Sequence, residues 1–515
     1  MSDSIGTDAI RELWCHEIFL SFGHLLRKTI PIIGIATGLS CSPQSPVLPT
    51  RSTGGPFLAL ERCSIADLPD AKCGTYRVFE DRGHQRGREI ALNVVVVTAT
   101  KHVPDMAPIF WLDGGPGGAA SDAAGYVSLN WLHGLHRDHD FVFVDERGTG
   151  KSGPLRCGEI GEDPKHADAF FGKPFPPELL LACRNELEKV ADLRFYTTAL
   201  FIGDLNDVRQ ALGYNQISFA ALSYGTLAAQ AYMRRYPDQV RSAFLFGLVT
   251  PEYKLPLPFA ETSQRALDQL WRDCSADRRC HRAFPDVGHE FDEVLERFGD
   301  GVIAAQMIDP STRRERVIQL TRESYLEHVR EMLYSTASAR FLPFIVHQAY
   351  KGNFVPFGVG AARFPRGGAG PYAGLHFSTL CSEAIPFINP EELAEATRET
   401  FLGESRVKSY SDVCKEWPRG DVPRSFLQPV ETAVPILVFS GEEDGVTPPW
   451  LVDKDIMRWP NARHVKIPHS GHQLDTPCEF NIVEAFFRAG SAKNLDTSCV
   501  EKTQRPPFAI SIAQQ

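Results

Sequence analysis

Ile217-Ser218-Phe219-Ala220-Ala221-Leu222-Ser223-Tyr224-Gly225-Thr226 decides how this chain is read. An apolar run meets a turn of small residues, and a helical pattern starts at once. Leu227, Ala228, Ala231, Tyr232 and Arg235 recur at helical spacing up to Tyr236-Pro237. A serine on so sharp a strand-to-helix turn has its hydroxyl pushed out at the sheet edge. The helix start behind it offers unpaired N–H groups to an anion. The tight backbone needs small neighbours. Gly225 lies two residues after Ser223, and Ala221 stands two before it, where the G-x-S-x-G pattern has glycine. A serine in an ordinary strand–helix turn is the competing reading, so the partners of a nucleophile must be sought elsewhere.

They occur in order. Ala107-Pro108-Ile109-Phe110-Trp111-Leu112 reads as a buried strand and runs into Asp113-Gly114-Gly115-Pro116-Gly117-Gly118. Such a loop, upstream of the serine, brings backbone close to a ligand and can supply an N–H to an oxyanion. Phe141-Val142-Phe143-Val144 is a further strand. Asp145-Glu146-Arg147-Gly148-Thr149-Gly150-Lys151-Ser152 follows and imitates a phosphate loop, but Asp145 stands where that loop needs glycine, and Gly153-Pro154 would break the required helix. The turn is better read as bracing, with Arg147 pairing a carboxylate. Downstream, Pro435 to Ser440 and Arg463 to Pro468 read as late strands. An acidic loop, Glu442-Glu443-Asp444, follows the first, and His469-Ser470-Gly471-His472 the second. Serine, acid, histidine is the chain order of an α/β-hydrolase triad.

Strand, helix, strand alternation up to Val249 implies a mostly parallel sheet with helical crossovers. Residues 179–190 and 200–212 read as helices. From about residue 251 to 428 helical patterns dominate, at 261–271, 289–298, 324–334 and 391–400, with a Gly/Pro-rich interruption at 357–374. The expected organisation is α/β, with a core in two parts, 63–250 and 429–515, and an inserted, mainly helical cap at 251–428.

The 515 residues are 43% hydrophobic and carry a formal charge of −10 with no basic stripe, which argues against nucleic acid and anionic membrane as partners. At the start, Arg27-Lys28, the apolar stretch Ile30–Leu39 and the small residues to Cys41 read as an export signal over residues 1–41. Its apolar run is too short to span a bilayer. The small residues before Cys41 also permit a lipid anchor on that cysteine; the long stretch upstream of Arg27 leaves two further alternatives, a true start further in or no signal at all. Residues 42–62 read as a linker. Besides Cys15 and Cys41, ten cysteines remain, an even number that in an exported chain suggests disulfides. Pairing sequential neighbours gives Cys63–Cys73, Cys157–Cys183, Cys274–Cys280, Cys381–Cys414 and Cys478–Cys499. The rival is a reduced enzyme with scattered buried thiols.

Taken together, Gly114-Gly115-Pro116-Gly117-Gly118, Asp145 to Ser152, Leu222 to Thr226, Gly441 to Pro448 and Ser470-Gly471-His472 make the chain resemble secreted α/β-hydrolases of the proline iminopeptidase and tripeptidyl aminopeptidase family, serine peptidases of the S33 type. Cys381-Ser382-Glu383, Cys414 and Trp417-Pro418 resemble the cap-side segment of the tripeptidyl branch. Two departures are Ala221 for glycine and Asp113 where many relatives carry histidine or asparagine. The resemblance implies Ser223 as nucleophile, His472 rather than His469 as base, and Asp444 rather than Glu442, Glu443 or Asp475 as acid. The backbone N–H groups of Gly114 and Tyr224 are expected to form the oxyanion hole, and Glu383 to bind the free N-terminus of a peptide substrate. No cofactor or metal is called for; His469 and His472 without a nearby acidic motif make a poor metal site. The expected activity is serine exopeptidase action through an acyl-enzyme. The alternatives are a carboxylic-ester hydrolase on the same triad and a catalytically silent binding module.

Overall fold

A computed structural model describes residues 58–511, apart from 66–67, 69–70, 102, 104–105, 128–133, 159–166, 300, 310, 365–369 and 475. Residues 1–41, read above as an export signal and including Cys41, lie outside the described residues, as do Asp475 and most of the stretch 42–62 read as a linker. What is described belongs to one unit, Gly54–Gln515.

Eleven strands are present among the described residues: β1 (Glu61–Arg62), β2 (Ala71–Phe79), β3 (Glu89–Val97), β4 (Ile109–Leu112), β5 (Phe141–Val144), β6 (Ile217–Leu222), β7 (Val240–Phe246), β8 (Val302–Ile308), β9 (Glu315–Thr321), β10 (Ile436–Gly441) and β11 (Ala462–Ile467). Nine of them form one sheet in the order β1-β2-β3-β5-β4-β6-β7-β10-β11. Pairing is antiparallel from β1 to β5 and parallel from β5 to β11. The strands of the parallel part are continuous apolar runs because both faces of the sheet are covered. Alternate residues serve the two faces. Phe110, Leu112, Val142, Val144, Ile436 and Val438 join the cluster that packs on the helix Tyr224–Arg235. Ile109, Trp111, Phe141, Phe143, Leu437 and Phe439 join the opposite cluster, which packs on the helix Pro477–Ala489.

Between β7 and β10 the chain is helical except for the antiparallel hairpin β8–β9, whose strands show no helical spacing and bury only alternate residues. The Gly/Pro-rich patch separates two helices, as expected, but the first of them extends into it. Pro356 sits in the first turn of the helix Val355–Arg363, where its missing N–H costs no hydrogen bond, and a second helix begins at Ala373. The segment divides its packing. Residues such as Phe291, Tyr325, Val329 and Phe357 form their own core, whereas Leu375, Phe377, Leu380, Tyr410 and Trp417 join the sheet-face core around the helix Tyr224–Arg235.

All five sequential cysteine pairs are bonded. Arg147 is fully buried and grips Asp204 with Nε and Nη2 at 2.7 and 2.8 Å, while its Nη1 donates to the Phe195 carbonyl at 2.7 Å. This is the bracing role expected of the Asp145–Ser152 turn.

Candidate active site

Parallel strands deliver their C-terminal ends to one edge, and open α/β sheets place ligands there. Asp113 to Gly118 leave β4, Glu146 follows β5, Ser223 follows β6, Gly247 follows β7, Asp444 follows β10 and His472 lies beyond β11.

Ser223 has φ 50° and ψ −124°, a strained conformation for a residue with a side chain, and it directly precedes the helix Tyr224–Arg235. Its amide donates to the Phe246 carbonyl at 2.9 Å, which stitches the turn to the end of β7. Gly225 is obligatory on steric grounds: a Cβ there would lie 2.4 Å from the Leu112 carbonyl oxygen. Ala221, where the pattern has glycine, is fully buried at the end of β6, paired with Leu112, and its methyl group is accommodated in the sheet-face core.

Asp444 and His472 are in contact, Oδ2 to Nδ1, at 2.7 Å. Asp444 Oδ1 accepts from the amides of Val446 at 2.7 Å and Thr447 at 2.9 Å, and Oδ2 also accepts from Thr447 Oγ1 at 2.9 Å. Burial alone would raise the Asp444 pKa, but the His472 charge and these donors outweigh it and hold the carboxyl below its ordinary range. A carboxylate accepts only, so Nδ1 of His472 carries the proton and Nε2 presents a lone pair. The ring is seated by neighbours. Tyr334 packs edge-on at 5.4 Å between centroids, and its carbonyl accepts the His472 amide. Gly247 leaves room for the imidazole, since a Cβ there would lie 2.6 Å from Cε1. Ser223 and His472 therefore flank the same Phe246-Gly247 corner. No Ser223–His472 side-chain hydrogen bond is formed among the described residues; such catalytic contacts often tighten only when substrate binds. The other candidates sit elsewhere: His469 pairs with Glu443 at 2.8 Å, and Glu442 is exposed.

Two sequence assignments change. The Gly114 amide is not available to an oxyanion, because it donates to the side chain of the preceding Asp113 at 2.7 Å. Gly115, next along, is exposed, and its N–H donates to no acceptor among the described residues. Tyr224 N–H stands at the first helical position, where no intrahelical acceptor exists. Glu383 is buried, with its oxygens already engaged: Oε1 by the Thr198 amide at 2.6 Å, and Oε2 by Thr198 Oγ1 at 2.7 Å and Tyr224 Oη at 2.9 Å. Burial pushes its pKa up to about 7 despite those donors.

Sequence reasoning missed Glu146. Its side chain is 8% exposed, and Oε1 has no hydrogen-bond partner. Burial, with the neighbouring Glu383 charge, pushes its pKa up to about 8. The only signal was an acid in the turn after β5, at the edge where the other groups gather. The ordinary value is 4.5, so between that pH and about 8 the folded state holds a proton that the unfolded chain releases. Stability then falls as pH rises through this window, by up to about 1.4 kcal/mol per pH unit. Glu146→Gln is expected to flatten that decline, which urea midpoints at about pH 5 and about pH 8 would measure.

Comparisons with known proteins point to the same fold. A family model described as alpha/beta hydrolase fold matches residues 107–274, and one described as TAP-like protein matches residues 399–499. The chain is 29% identical over 195 residues to a tripeptidyl aminopeptidase of Streptomyces lividans, covering 35% of this chain and 36% of that protein. It is 26% identical over 280 residues to the serine protease Hip1 of Mycobacterium bovis, covering 52% and 51%. It is 24% identical over 146 residues to a proline iminopeptidase of Neisseria gonorrhoeae, covering 28% and 34%. The matches thus span about a third to a half of the length of these curated relatives. With its mostly parallel sheet, its strained serine turn and these two matches, the chain has the α/β-hydrolase fold, and residues 399–499 resemble the TAP-like model.

Proposed function

We propose that this hydrolase is a serine exopeptidase, exported from the cell, that releases residues or short peptides from free N-termini. The observation that carries the reading is the Asp444–His472 pair beside the corner that anchors the strained Ser223 turn. Nε2 of His472 takes the Ser223 proton as Oγ forms a bond to the scissile carbonyl carbon. The tetrahedral oxyanion is met by the N–H groups of Tyr224 and, in place of Gly114, Gly115. His472 returns the proton to the departing amine as the C–N bond breaks, and water then releases the acyl group by the same steps.

The buried carboxyls on the same edge support the exopeptidase choice. Glu383 was the expected ammonium partner, but both of its oxygens already accept hydrogen bonds; Glu146 beside it has an oxygen with no partner. A substrate ammonium would satisfy that orphaned oxygen, and an N-blocked peptide would leave it unmet. The five disulfides support export.

Turnover of free-amine peptide anilides, their N-blocked counterparts and short p-nitrophenyl esters tests the reading. Free-amine anilides are expected to be cleaved at least about tenfold faster than blocked ones, the scale of one lost buried polar contact. Turnover of esters alone would instead make the protein a carboxylic-ester hydrolase, and no labelling by a fluorophosphonate would leave a silent binding module.

A further inference from the structure

The helix Ala373–Glu383 lies in the segment between β7 and β10, yet it contacts both segments that carry oxyanion donors, the glycine loop through a backbone carbonyl and Tyr224 through its side-chain hydroxyl. Near its N-terminal end, His376 Nδ1 is 2.8 Å from the Pro116 carbonyl oxygen, in the glycine loop. A carbonyl only accepts, so Nδ1 carries the proton, and Nε2 accepts from Tyr410 Oη at 2.9 Å. Burial holds the His376 pKa down at about 4, which keeps the ring neutral in this tautomer at neutral pH. At the other end, Glu383 Oε2 accepts from Tyr224 Oη, the side chain of the residue that follows the nucleophile. Seven residues separate the two, close to two helical turns, so they share a face and stand about 10 Å apart along the axis.

We infer that this helix is the element that sets the spacing of the oxyanion hole, with His376 and Glu383 as positioning residues for the Gly115 and Tyr224 amides; the inference rests on the serine-hydrolase reading above. The two amides belong to separate segments, and their value to a developing oxyanion depends on fixed geometry. The glycine loop closes on itself through the Gly118 amide and the Gly114 carbonyl at 3.0 Å, and the His376 contact ties that closed turn to the helix. The helix is suited to hold it because it is itself immobilised. All eleven of its residues are buried. Cys381 is bonded to Cys414, Trp417 Nε1 donates to Ser378 Oγ at 3.0 Å, and Gly374 donates to the Leu155 carbonyl at 3.0 Å where a Cβ would strike Leu187. A role confined to satisfying buried polar atoms would not require these two groups to land on the two donor segments.

The test compares His376→Phe, His376→Asn, Tyr224→Phe and Glu383→Gln with the wild type. Each is assayed for kcat and KM on a free-amine anilide, for the rate of fluorophosphonate inactivation and for the thermal midpoint. His376→Phe and Tyr224→Phe should each lower kcat and the inactivation rate by about 10- to 100-fold, less than outright loss of one donor, with KM within about twofold. His376→Asn, whose amide can still donate to Pro116, should recover most of the loss. Unchanged kcat and inactivation rate in folded Tyr224→Phe and Glu383→Gln would overturn the proposal, even if His376→Phe failed to fold. So would a rise in KM alone, confined to free-amine substrates, which would make Glu383 part of an amine subsite. A wild-type protein inert to fluorophosphonate would fail the hydrolase reading itself, and this inference with it, before any variant was compared.

Discussion

Ser223→Ala is expected to lower turnover by about 10⁶-fold, the scale of losing the nucleophile in a serine hydrolase. The protein should stay folded, because Ser223 Oγ makes no hydrogen bond among the described residues and the turn is held by backbone, through the Ser223 amide and Phe246. Folding and activity therefore separate cleanly at this position. Fluorophosphonate labelling should vanish while the thermal midpoint stays within a few degrees of wild type. Adding His472→Ala to Ser223→Ala should cost little more, since nucleophile and base act as one unit. A Ser223→Ala protein that still turns over substrate at the wild-type rate would move the chemistry away from β6 altogether.

Asp444→Asn should lower kcat by about 10⁴-fold at neutral pH. The reason can be read from its four contacts. Oδ1 accepts from two backbone amides, Val446 and Thr447, so the carbonyl oxygen of an asparagine must occupy that place. Its NH₂ is then forced to the Oδ2 position, facing His472 Nδ1. A donor there turns Nδ1 into an acceptor and moves the imidazole proton to Nε2, where it can no longer take a proton from Ser223. KM should change much less than kcat, because no substrate contact is removed. The same carboxyl shapes the acid limit of stability. Its pKa is depressed in the folded state, so its contribution is complete above the ordinary carboxyl range and is lost as pH falls through the depressed value.

The parallel half of the sheet was legible because its strands are buried on both faces and read as unbroken apolar runs, Phe141–Val144 and Ile217–Leu222 most clearly. The antiparallel edge was harder. β2, Ala71–Phe79, carries Lys72, Gly74, Thr75 and Arg77, and its strand character comes from its pairing with β3 rather than from its own pattern. The hairpin β8–β9 was absorbed into a helical segment because strand alternation over seven residues is a weak signal beside long amphipathic helices. In the site, the order serine, acid, histidine was visible, as was the glycine loop. The choice between Gly114 and Gly115 was not, because it depends on a carboxylate folding back onto the next amide. The surroundings of Glu383 were equally hidden: its partners Thr198 and Tyr224 lie 185 and 159 residues away along the chain.

The five disulfides close loops between residues only 6 to 33 apart, and none joins the part before β7 to the part after it. Covalently the described part is a string of small rings, so each bridge can be made as soon as its own stretch meets an oxidising environment, without waiting for the sheet. The same layout means that a protease nick outside the rings leaves two fragments held together by packing alone.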